Sequence, residues 1–425
     1  MANKKVASKP SRPVFSRTPA VVVLAAGKGT RMNSPLPKVL HPLMGRPIIA
    51  HVLNAVRYLN PERLVVVTGF GAERVEETIA SYGPRIVRQK ELKGTGQAVQ
   101  AATEALKDFN GPVVILPGDV PLISPQTLLD FLDAHQTLKT RLSVLTCLMK
   151  DPTGYGRIIR DKNGWLERIV ENKDASPEEL AIDEINSGVY VIDCQTLKDN
   201  IFNLKRDNAQ KEYYLTDIVA EVRSKGHLAS AVQSPDYLEV QGINDCRELA
   251  FAQTVLRCRV NDSWLFSGVV MEDPATTYIE PSVKLSSGVR LEPGVILTAN
   301  TKVGAEAVVG AYSYLRNVEL DDAVKLGPFM NLENLRFTAD GHIYALNDQG
   351  EIVGEEYCHF TDDDDQGFPP DFPSGEPGPK KAPAQAKPAK APAKAKDAPK
   401  GAAKGAKGKI AKTPAKVGTK GKPRG

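Results

Sequence analysis

The sequence lacks any apolar run approaching the roughly 18 residues that a membrane-spanning helix needs. Its basic N-terminus also lacks the continuous apolar stretch of a signal peptide, so we expect a cytoplasmic protein. The five cysteines are scattered and form no CxxC pair, which favours reduced, buried thiols. With 425 residues and 41% hydrophobic content, the chain is long enough for two domains plus tails.

Charge is distributed unevenly along the chain. The net charge is +4, yet residues 1–18 hold five basic and no acidic residues, and the segment from Lys380 onward holds 14 Lys and one Arg against one Asp, which leaves a body of about −15. The tail consists almost entirely of Lys, Ala, Pro and Gly, so it is predicted to be disordered. It lacks the interleaved aromatic residues that stack on bases, but its charge leaves contacts with polyanions open.

Strand-like and helix-like segments alternate in the first third of the chain. Continuous apolar runs predict buried parallel strands at Ala20–Ala26, Arg63–Gly69 and Pro112–Asp119. The intervening segments 48–58, 72–81 and 97–107 are helix-like. This alternation predicts an α/β fold with a mostly parallel sheet, in which ligands bind beyond the carboxyl ends of the strands.

After about residue 275 the pattern changes to a period of six. Apolar residues recur at Ile279, Leu285, Leu291, Leu297, Val303, Val309 and Leu315. This spacing is typical of the hexapeptide repeat of a parallel β-helix. The phase fails at Asp321 and resumes at Leu326 and Leu332, so two to three coils are predicted. The segment GHIYALNDQGEIVG then reads as a hairpin with its turn at 348–350.

The segment Leu24–Lys38, LAAGKGTRMNSPLPK, carries the strongest chemical signal. Gly27 and Gly29 free backbone N–H groups to face phosphates. Arg31 and Lys38 place two cations near a triphosphate, whose transfer needs charge stabilisation on the α-phosphate oxygens. The spacing is neither GxxxxGK[ST] nor GxGxxG, so the segment is neither a P-loop nor a dinucleotide-binding motif.

This segment resembles the uridylyltransferase domain of the bifunctional N-acetylglucosamine-1-phosphate uridylyltransferase/glucosamine-1-phosphate acetyltransferase family. Seven further segments match in the same order, at 89–99, 118–123, 151–158, 169–175, 184–191, 208–217 and 242–249. The resemblance implies a Rossmann-like nucleotidyltransferase domain followed by a left-handed parallel β-helix. The expected division is a basic arm (1–18), the nucleotidyltransferase domain (19–275), a short β-helix (276–335), a hairpin extension (336–361) and an acidic, then basic, tail (362–425).

The resemblance also implies the roles of individual residues. Mg²⁺, a hard cation that prefers oxygen ligands, is expected on Asp119 and Asn244. The expected catalytic cations are Arg31 and Lys38. The nucleotide would be bound by Leu24, Ala25, Ala26, Gly27, Gln89, Gly94 and Thr95, and the sugar phosphate by Gly156, Glu171, Asn186 and Thr216. Lys173 is expected to reach a phosphate. Pro117 departs from the family, which has an aromatic or small residue there, and we expect a local adjustment of the backbone.

The expected reaction joins UTP and N-acetylglucosamine 1-phosphate to give UDP-N-acetylglucosamine, a cell-wall precursor, and pyrophosphate. The stretch that supplies acetyl transfer in the family has no counterpart here, so no acetyltransferase activity is expected. A homotrimer through the β-helix remains open. So do two alternative functions: a related nucleotidyltransferase with another sugar phosphate or base, and a catalytically idle scaffold that works through its basic tail.

Overall fold

The fold is taken from a computed structural model that describes residues 18–357. The predicted basic arm, apart from Thr18, and the predicted acidic and basic tail lie outside the described residues. Within residues 18–357 no helix is long and apolar enough to cross a membrane.

The first part of the chain is an α/β unit. Its elements are β1 (Ala20–Ala25), β2 (Pro42–Leu43), β3 (Arg46–Pro47), α1 (Ile48–Arg57), β4 (Arg63–Thr68), α2 (Ala72–Ile79), β5 (Arg85–Arg88), α3 (Thr95–Ala102), β6 (Pro112–Pro117), α4 (Pro125–Leu138), β7 (Leu142–Leu148), β8 (Arg157–Arg160), β9 (Leu166–Val170), α5 (Pro177–Leu180), β10 (Glu184–Asp193), α6 (Cys194–Asn200), α7 (Ile218–Ser224), β11 (Ala229–Gln233) and α8 (Cys246–Phe266). Short 3-10 turns lie between them, among them Thr30–Met32, Lys38–Leu40 and Leu215–Asp217.

Seven strands form the main sheet in the order β11-β7-β10-β6-β1-β4-β5, and β8 and β9 attach beside β10. The strand pairs β1–β4, β1–β6, β4–β5 and β7–β11 are parallel, whereas β10 runs antiparallel between β6 and β7. The predicted α/β fold is therefore confirmed. The sheet is mixed because β10, near the centre of the sheet, runs antiparallel to its two neighbours.

The apolar sequence of β1 explains its central position. Alternate side chains of a strand point to opposite faces. Ala20 and Val22 accordingly belong to the core beneath α3, α6 and α7, while Val21 and Val23 belong to the core beneath α1, α2 and α4. A strand covered by helices on both faces must be apolar at every position, as this one is.

Pro117 is accommodated by an irregularity in β10. The pairing of β10 with β6 ends at Tyr190 and Ile115, and the register of β10 shifts between Asn186 and Tyr190. Gly188, with φ of +78°, lies in this irregular stretch, and a Cβ there would lie 3.1 Å from the ring of Pro117. Because β10 has already left β6 at this level, the N–H group that proline lacks is not needed for the sheet.

The second part of the chain is a stack of short parallel strands. It contains β12 (Val270–Met271), β13 (Tyr278–Ile279), β14 (Lys284–Leu285), β15 (Arg290–Leu291), β16 (Ile296–Thr298), β17 (Lys302–Val303), β18 (Val308–Val309), β19 (Tyr314–Arg316), β20 (Glu319–Leu320), β21 (Lys325–Leu326), β22 (Asn331–Glu333), β23 (Leu335–Phe337), β24 (His342–Leu346) and β25 (Ile352–Tyr357). The strands β12 to β23 form three parallel faces, β12-β15-β18-β21, β13-β16-β19-β22 and β14-β17-β20-β23. The hexapeptide pattern thus forms the predicted β-helix, but the four strands of each face make four coils and not the predicted two to three.

The failed phase at Asp321 has a geometric cause. Ile279, Leu297 and Leu315 pair in register at intervals of 18 residues, but Leu315 pairs with Leu332 after only 17. The missing residue lies at the corner that contains Asn317, with φ of +53°. Leu320 therefore takes the inward position in place of Asp321, and its side chain is buried.

The last coil is followed by an antiparallel hairpin. β24 pairs with β23 on one side and with β25 on the other, around a turn in which the Gly350 N–H donates to the Asn347 carbonyl at 2.9 Å. At the other end of the stack, α8 leads into the first coil. The buried Asn261 amide on α8 donates to the carbonyls of Pro274 and Thr277 at 2.9 and 3.0 Å.

The cysteines are only partly as predicted. Cys147 and Cys194 are buried free thiols, whereas Cys246 and Cys258 are exposed on α8. The expectation that the thiols are buried is wrong for this pair because α8 presents one face to solvent. Cys358 lies beyond the described residues.

Candidate active site

A cleft of about 610 Å³ opens at the carboxyl ends of β1 and β6. Twelve of the fifteen predicted site residues line it: Leu24, Ala25, Ala26, Gly27, Lys38, Gln89, Gly94, Thr95, Asp119, Glu171, Asn186 and Thr216. Lys28, Leu92, Pro117, Gly188, Tyr190, Glu212 and Leu215 also line it. The fold thus brings together residues that are up to 192 positions apart in the chain.

The glycine-rich loop positions Lys38. Gly29 has φ of +61°, and a Cβ on it would lie 2.6 Å from the Lys38 Cβ, so only glycine fits where the loop crosses this side chain. Lys38 begins the 3-10 turn Lys38–Leu40, whose other two side chains, Val39 and Leu40, are buried. The base of the Lys38 side chain is therefore fixed, and its ammonium group projects into the cleft.

Two oxygen-bearing side chains converge on the Lys38 ammonium group. Lys38 Nζ donates to the Asp119 carboxylate and, at 3.2 Å, to Asn244 Oδ1. The loop after Asp119 is tied to the Asn244 segment because the Ile243 N–H donates to the Asp119 carbonyl at 2.9 Å. The Glu248 carboxylate accepts from the Asn244 N–H and holds this segment at the start of α8.

A carboxylate and an amide oxygen that meet at one point fit a Mg²⁺ ion whose other ligands are phosphate oxygens and water. Among residues 18–357 no group of three or more His, Cys, Asp or Glu side chains is arranged to hold a metal. The pair Asp119 and Asn244 therefore suits an ion that arrives with its nucleotide better than a caged structural metal.

Gln89 and Gly94 form one edge of the cleft. The buried Gln89 amide nitrogen donates to the Gly94 carbonyl at 3.2 Å and to Gln97 Oε1 at 3.1 Å. In the described part of the chain its carbonyl oxygen has no donor, so it can accept an N–H from a base. Gly94 has φ of +108°, and a Cβ there would lie 2.4 Å from the Tyr213 carbonyl oxygen, so glycine is required.

Thr95 stabilises one wall of the cleft. Its hydroxyl oxygen accepts from the Leu215 N–H at 3.1 Å, and the Gly96 N–H donates to the Tyr213 carbonyl at 2.8 Å. These two bonds hold the segment 213–216 against the start of α3. Thr95 therefore carries a structural contact that the sequence did not indicate.

The far wall carries the residues predicted to bind the sugar. Thr216 Oγ1 donates to Glu171 Oε1 at 3.0 Å. Burial raises the pKa of the Glu171 carboxyl above its usual value, and the hydrogen bond from Thr216 offsets part of this rise. Asn186 Oδ1 accepts from the Gly188 N–H at 2.9 Å. Burial raises the pKa of the Tyr190 phenol, which also lines the cleft.

The comparisons with known proteins agree with this geometry. The MobA-like NTP transferase domain family matches residues 21–162. The "Bifunctional protein GlmU" of Kineococcus radiotolerans is 46% identical over 71% of this chain and 62% of its own length, and that of Levilactobacillus brevis is 42% identical over 71% and 66%. The protein of the same name from Exiguobacterium sibiricum is 41% identical over 73% of both chains.

The chain belongs to the GlmU family. It is a nucleotidyltransferase of that family, and the predicted resemblance is confirmed. The chain spans roughly two thirds of the length of the GlmU relatives it matches.

Three predicted residues lie outside the lining of this GlmU-type cleft. Asn244 does not line the cleft itself but accepts a hydrogen bond from Lys38, which does. Arg31 is exposed in the turn Thr30–Met32. Gly156 lies behind the wall, where its carbonyl accepts from the Asn186 N–H at 2.9 Å. Lys173, which is expected to reach a phosphate, donates to Gln210 Oε1 at 2.7 Å in this structure.

Sequence reasoning did not single out Tyr190 and Lys28. Tyr190 falls inside the apolar run of β10, where an aromatic residue looks like ordinary core, yet it also lines the cleft. Lys28 stands inside the glycine-rich segment itself, and its ammonium group lies 5.9 Å from the centre of the Phe70 ring. Its position between Gly27 and Gly29 could have indicated that it lies at the cleft.

Proposed function

We propose that the chain transfers the uridylyl group of UTP to N-acetylglucosamine 1-phosphate, giving UDP-N-acetylglucosamine and pyrophosphate. The observation that carries the proposal is the order of groups along one cleft. An amide edge suited to a base, at Gln89 and Gly94, leads to a glycine-rich loop with the Lys38, Asp119 and Asn244 cluster, and then to a polar wall at Glu171 and Thr216.

In the proposed reaction an oxygen of the sugar phosphate attacks the α-phosphorus of UTP. One P–O bond forms, the bond to the β-phosphate oxygen breaks, and pyrophosphate leaves with the electron pair. Asp119 and Asn244 would hold Mg²⁺, which neutralises phosphate charge when bound. Lys38 stabilises negative charge on the phosphates, and the glycine-rich loop orients them with its N–H groups. No covalent intermediate with the enzyme is needed.

The polar wall is suited to an acetylated sugar. Glu171 accepts from sugar hydroxyls, and the Thr216 hydroxyl fixes the orientation of its carboxylate. Asn186 presents an amide to the sugar or its acetamido group, and its own oxygen is held by the Gly188 N–H. The Tyr190 ring gives this end of the cleft an apolar surface. Arg31 would act from the rim, through a side chain free to bend toward the phosphates.

Acetyl transfer is not part of the proposed function. Support comes from the coil stack, where β24 and β25 continue the third face in antiparallel pairing after β23. The described stack thus carries four coils and then a hairpin. Trimer formation through the β-helix and contacts of the basic tail with polyanions remain part of the proposal. The proposed location of the enzyme is the cytoplasm.

The decisive experiment measures pyrophosphate release by the purified full chain. UTP, CTP, ATP, GTP and dTTP are each paired with N-acetylglucosamine 1-phosphate, glucosamine 1-phosphate and glucose 1-phosphate in the presence of Mg²⁺. The proposal requires the highest kcat/KM for UTP with the acetylated sugar. A different preferred pair would make the chain a related nucleotidyltransferase, and no turnover with any pair would favour an idle scaffold.

A further inference from the structure

The Lys38 ammonium group contacts both oxygens that are proposed to hold Mg²⁺. It donates to the Asp119 carboxylate and, at 3.2 Å, to Asn244 Oδ1, across 81 and 206 positions of the chain. The contact is sheltered, because the side chains of Lys38 and Asp119 are only 13% and 17% exposed. A positive charge of the protein itself thus bridges the two oxygen ligands.

An ammonium group and a divalent ion cannot use these oxygens together. Mg²⁺ binds its oxygen ligands at about 2.0–2.1 Å, and two cations held on one carboxylate in a sheltered site repel each other strongly. We propose that Lys38 is exchanged for the metal: its ammonium group occupies the site in the nucleotide-free protein and moves to the triphosphate when the ion binds. This inference rests on the proposed function, which assigns the metal to Asp119 and Asn244.

The surroundings of Lys38 permit this exchange. Val39 and Leu40 are buried, and Gly29 packs against the Lys38 Cβ, so the backbone stays in place. The four-carbon stem is flexible, and only its far end needs to move. The glycine-rich loop on the same side of the cleft places phosphates within reach of the displaced ammonium group.

The exchange couples the metal to the nucleotide. The triphosphate supplies the oxygen ligands that Asp119 and Asn244 cannot, and it also supplies a new anionic partner for Lys38. Without nucleotide the ion must displace Lys38 while neither the ion nor the ammonium group gains a phosphate partner. The affinity of the nucleotide-free protein for the ion is therefore low. Lys38 therefore favours binding of the metal–nucleotide complex over binding of the free ion, in addition to stabilising charge in the reaction.

Lys28 provides a matched control. It lies in the same loop and lines the same cleft, but its ammonium group lies over the Phe70 ring and donates to no carboxylate within the described residues. Removing its charge changes the net charge of the cleft by one unit, as removing that of Lys38 does. Only Lys38, however, competes directly for the Asp119 and Asn244 oxygens.

The test measures Mn²⁺ affinity of the nucleotide-free full chain by electron paramagnetic resonance of the free ion. Lys38→Met is expected to tighten Mn²⁺ binding about tenfold or more, because it removes a cation in contact with the ligands. Lys28→Met is expected to change the affinity by less than about threefold. Lys38→Arg, which retains the charge, should not tighten binding. Circular dichroism and thermal unfolding establish that each variant is folded.

Three results would overturn the exchange. If Lys38→Met and Lys28→Met tighten Mn²⁺ binding equally, the effect comes from the overall charge of the cleft and not from contact with the two oxygens. Unchanged Mn²⁺ affinity in Lys38→Met would show that the ammonium group does not compete for the two oxygens. If adding Asp119→Asn to Lys38→Met leaves the Mn²⁺ affinity unchanged, the ion binds elsewhere and Lys38 does not compete with it. The proposed function fails separately: if Lys38→Met tightens Mn²⁺ as expected but no uridylyl transfer is found, the exchange stands and the substrates are wrong.

Discussion

The hydroxyl of Thr216 donates to the carboxylate of Glu171 at 3.0 Å, at the end of the cleft that is proposed to bind the sugar. Burial raises the pKa of Glu171, and the negative charges of Asp217 and Asp174 raise it further. The surroundings of Glu171 therefore disfavour its charged form, which costs free energy in the folded protein. Such a cost is typical of a binding group whose partner is supplied by the ligand.

The cost predicts how stability depends on pH in Glu171→Gln. A carboxyl whose pKa is raised by folding costs no stability below its unfolded pKa of about 4.3, and the cost grows as pH rises toward the folded pKa. The free energy of unfolding of Glu171→Gln should therefore equal or exceed that of the wild type at pH 7, and the difference should vanish near pH 4. Denaturant unfolding at the two pH values measures it. A variant less stable at pH 7 would contradict the prediction.

Activity should change in the opposite direction. Glu171→Gln loses a charge-assisted hydrogen bond to the sugar, and kcat/KM for the sugar phosphate should fall about 10- to 100-fold. In the wild type, kcat/KM should decline as pH falls through the raised pKa of Glu171, and this step should be absent from the variant. Glu178→Gln, an exposed residue of α5, serves as the control.

Asp119→Asn should lower kcat about 10²- to 10³-fold, because a charged ligand near the reacting phosphate becomes neutral. The fold should survive, since the Ile243 N–H bonds to the Asp119 backbone carbonyl, which the substitution leaves in place. Steady-state kinetics at saturating Mg²⁺ and UTP give the result. Asp108→Asn, at an exposed position, should behave as wild type. Activity of Asp119→Asn within tenfold of wild type would end the metal assignment.

Much of the fold followed from local pattern. Runs such as Ala20–Ala25 predicted buried strands, and the period of six predicted the coils. The reversal at β10 did not follow, because an antiparallel strand buried between two others has the same apolar composition as a parallel one. The 17-residue coil was visible only as a phase error at Asp321. Its cause, a corner shortened at Asn317, required the paired registers.

The site was predictable as a set of residues but not as a network. The segments lie at strand ends that one sheet edge brings together, so their clustering follows from topology. The bond between Lys38 and Asn244 spans 206 positions and depends on how α8 begins. Likewise, nothing local shows that Thr95 accepts from Leu215 or that Gly156 supports Asn186. The catalytic and binding roles themselves stay predictions until they are tested.

Gly94→Ala should impair UTP binding. The new Cβ would meet the Tyr213 carbonyl oxygen at 2.4 Å, so the edge that carries Gln89 and the segment 213–216 must separate. KM for UTP should rise about tenfold or more, with a smaller change in kcat. Gly83→Ala is the control, because Gly83 also has positive φ, +64°, but its added Cβ meets nothing within 4 Å. An equal effect of the two substitutions on KM would remove the argument for a specific close approach.

The purified chain should release no CoA from acetyl-CoA with glucosamine 1-phosphate as acceptor. The described coils number four and lead into the β24–β25 hairpin. A thiol-reactive dye monitors CoA, and uridylyl transfer in the same preparation shows that the protein is active. Stoichiometric CoA release that depends on the acceptor would show that this chain acetylates, and the proposed division of activities would be abandoned.

Removing residues 376–425 should leave uridylyl transfer nearly unchanged, because the cleft is lined by residues between Leu24 and Thr216 and its metal pair is completed by Asn244. The removed segment carries a net charge of +13 and has a composition that cannot build a packed wall. Its charge should instead govern binding to polyanions such as heparin, and that binding should weaken steeply as salt rises, because the Debye length is only about 8 Å at physiological ionic strength. The full chain and the truncated chain are compared by kinetics and by salt elution from heparin. A folded but inactive truncated chain would show that the tail belongs to the catalytic unit, whereas identical elution of the two proteins would leave the tail without a role in polyanion binding.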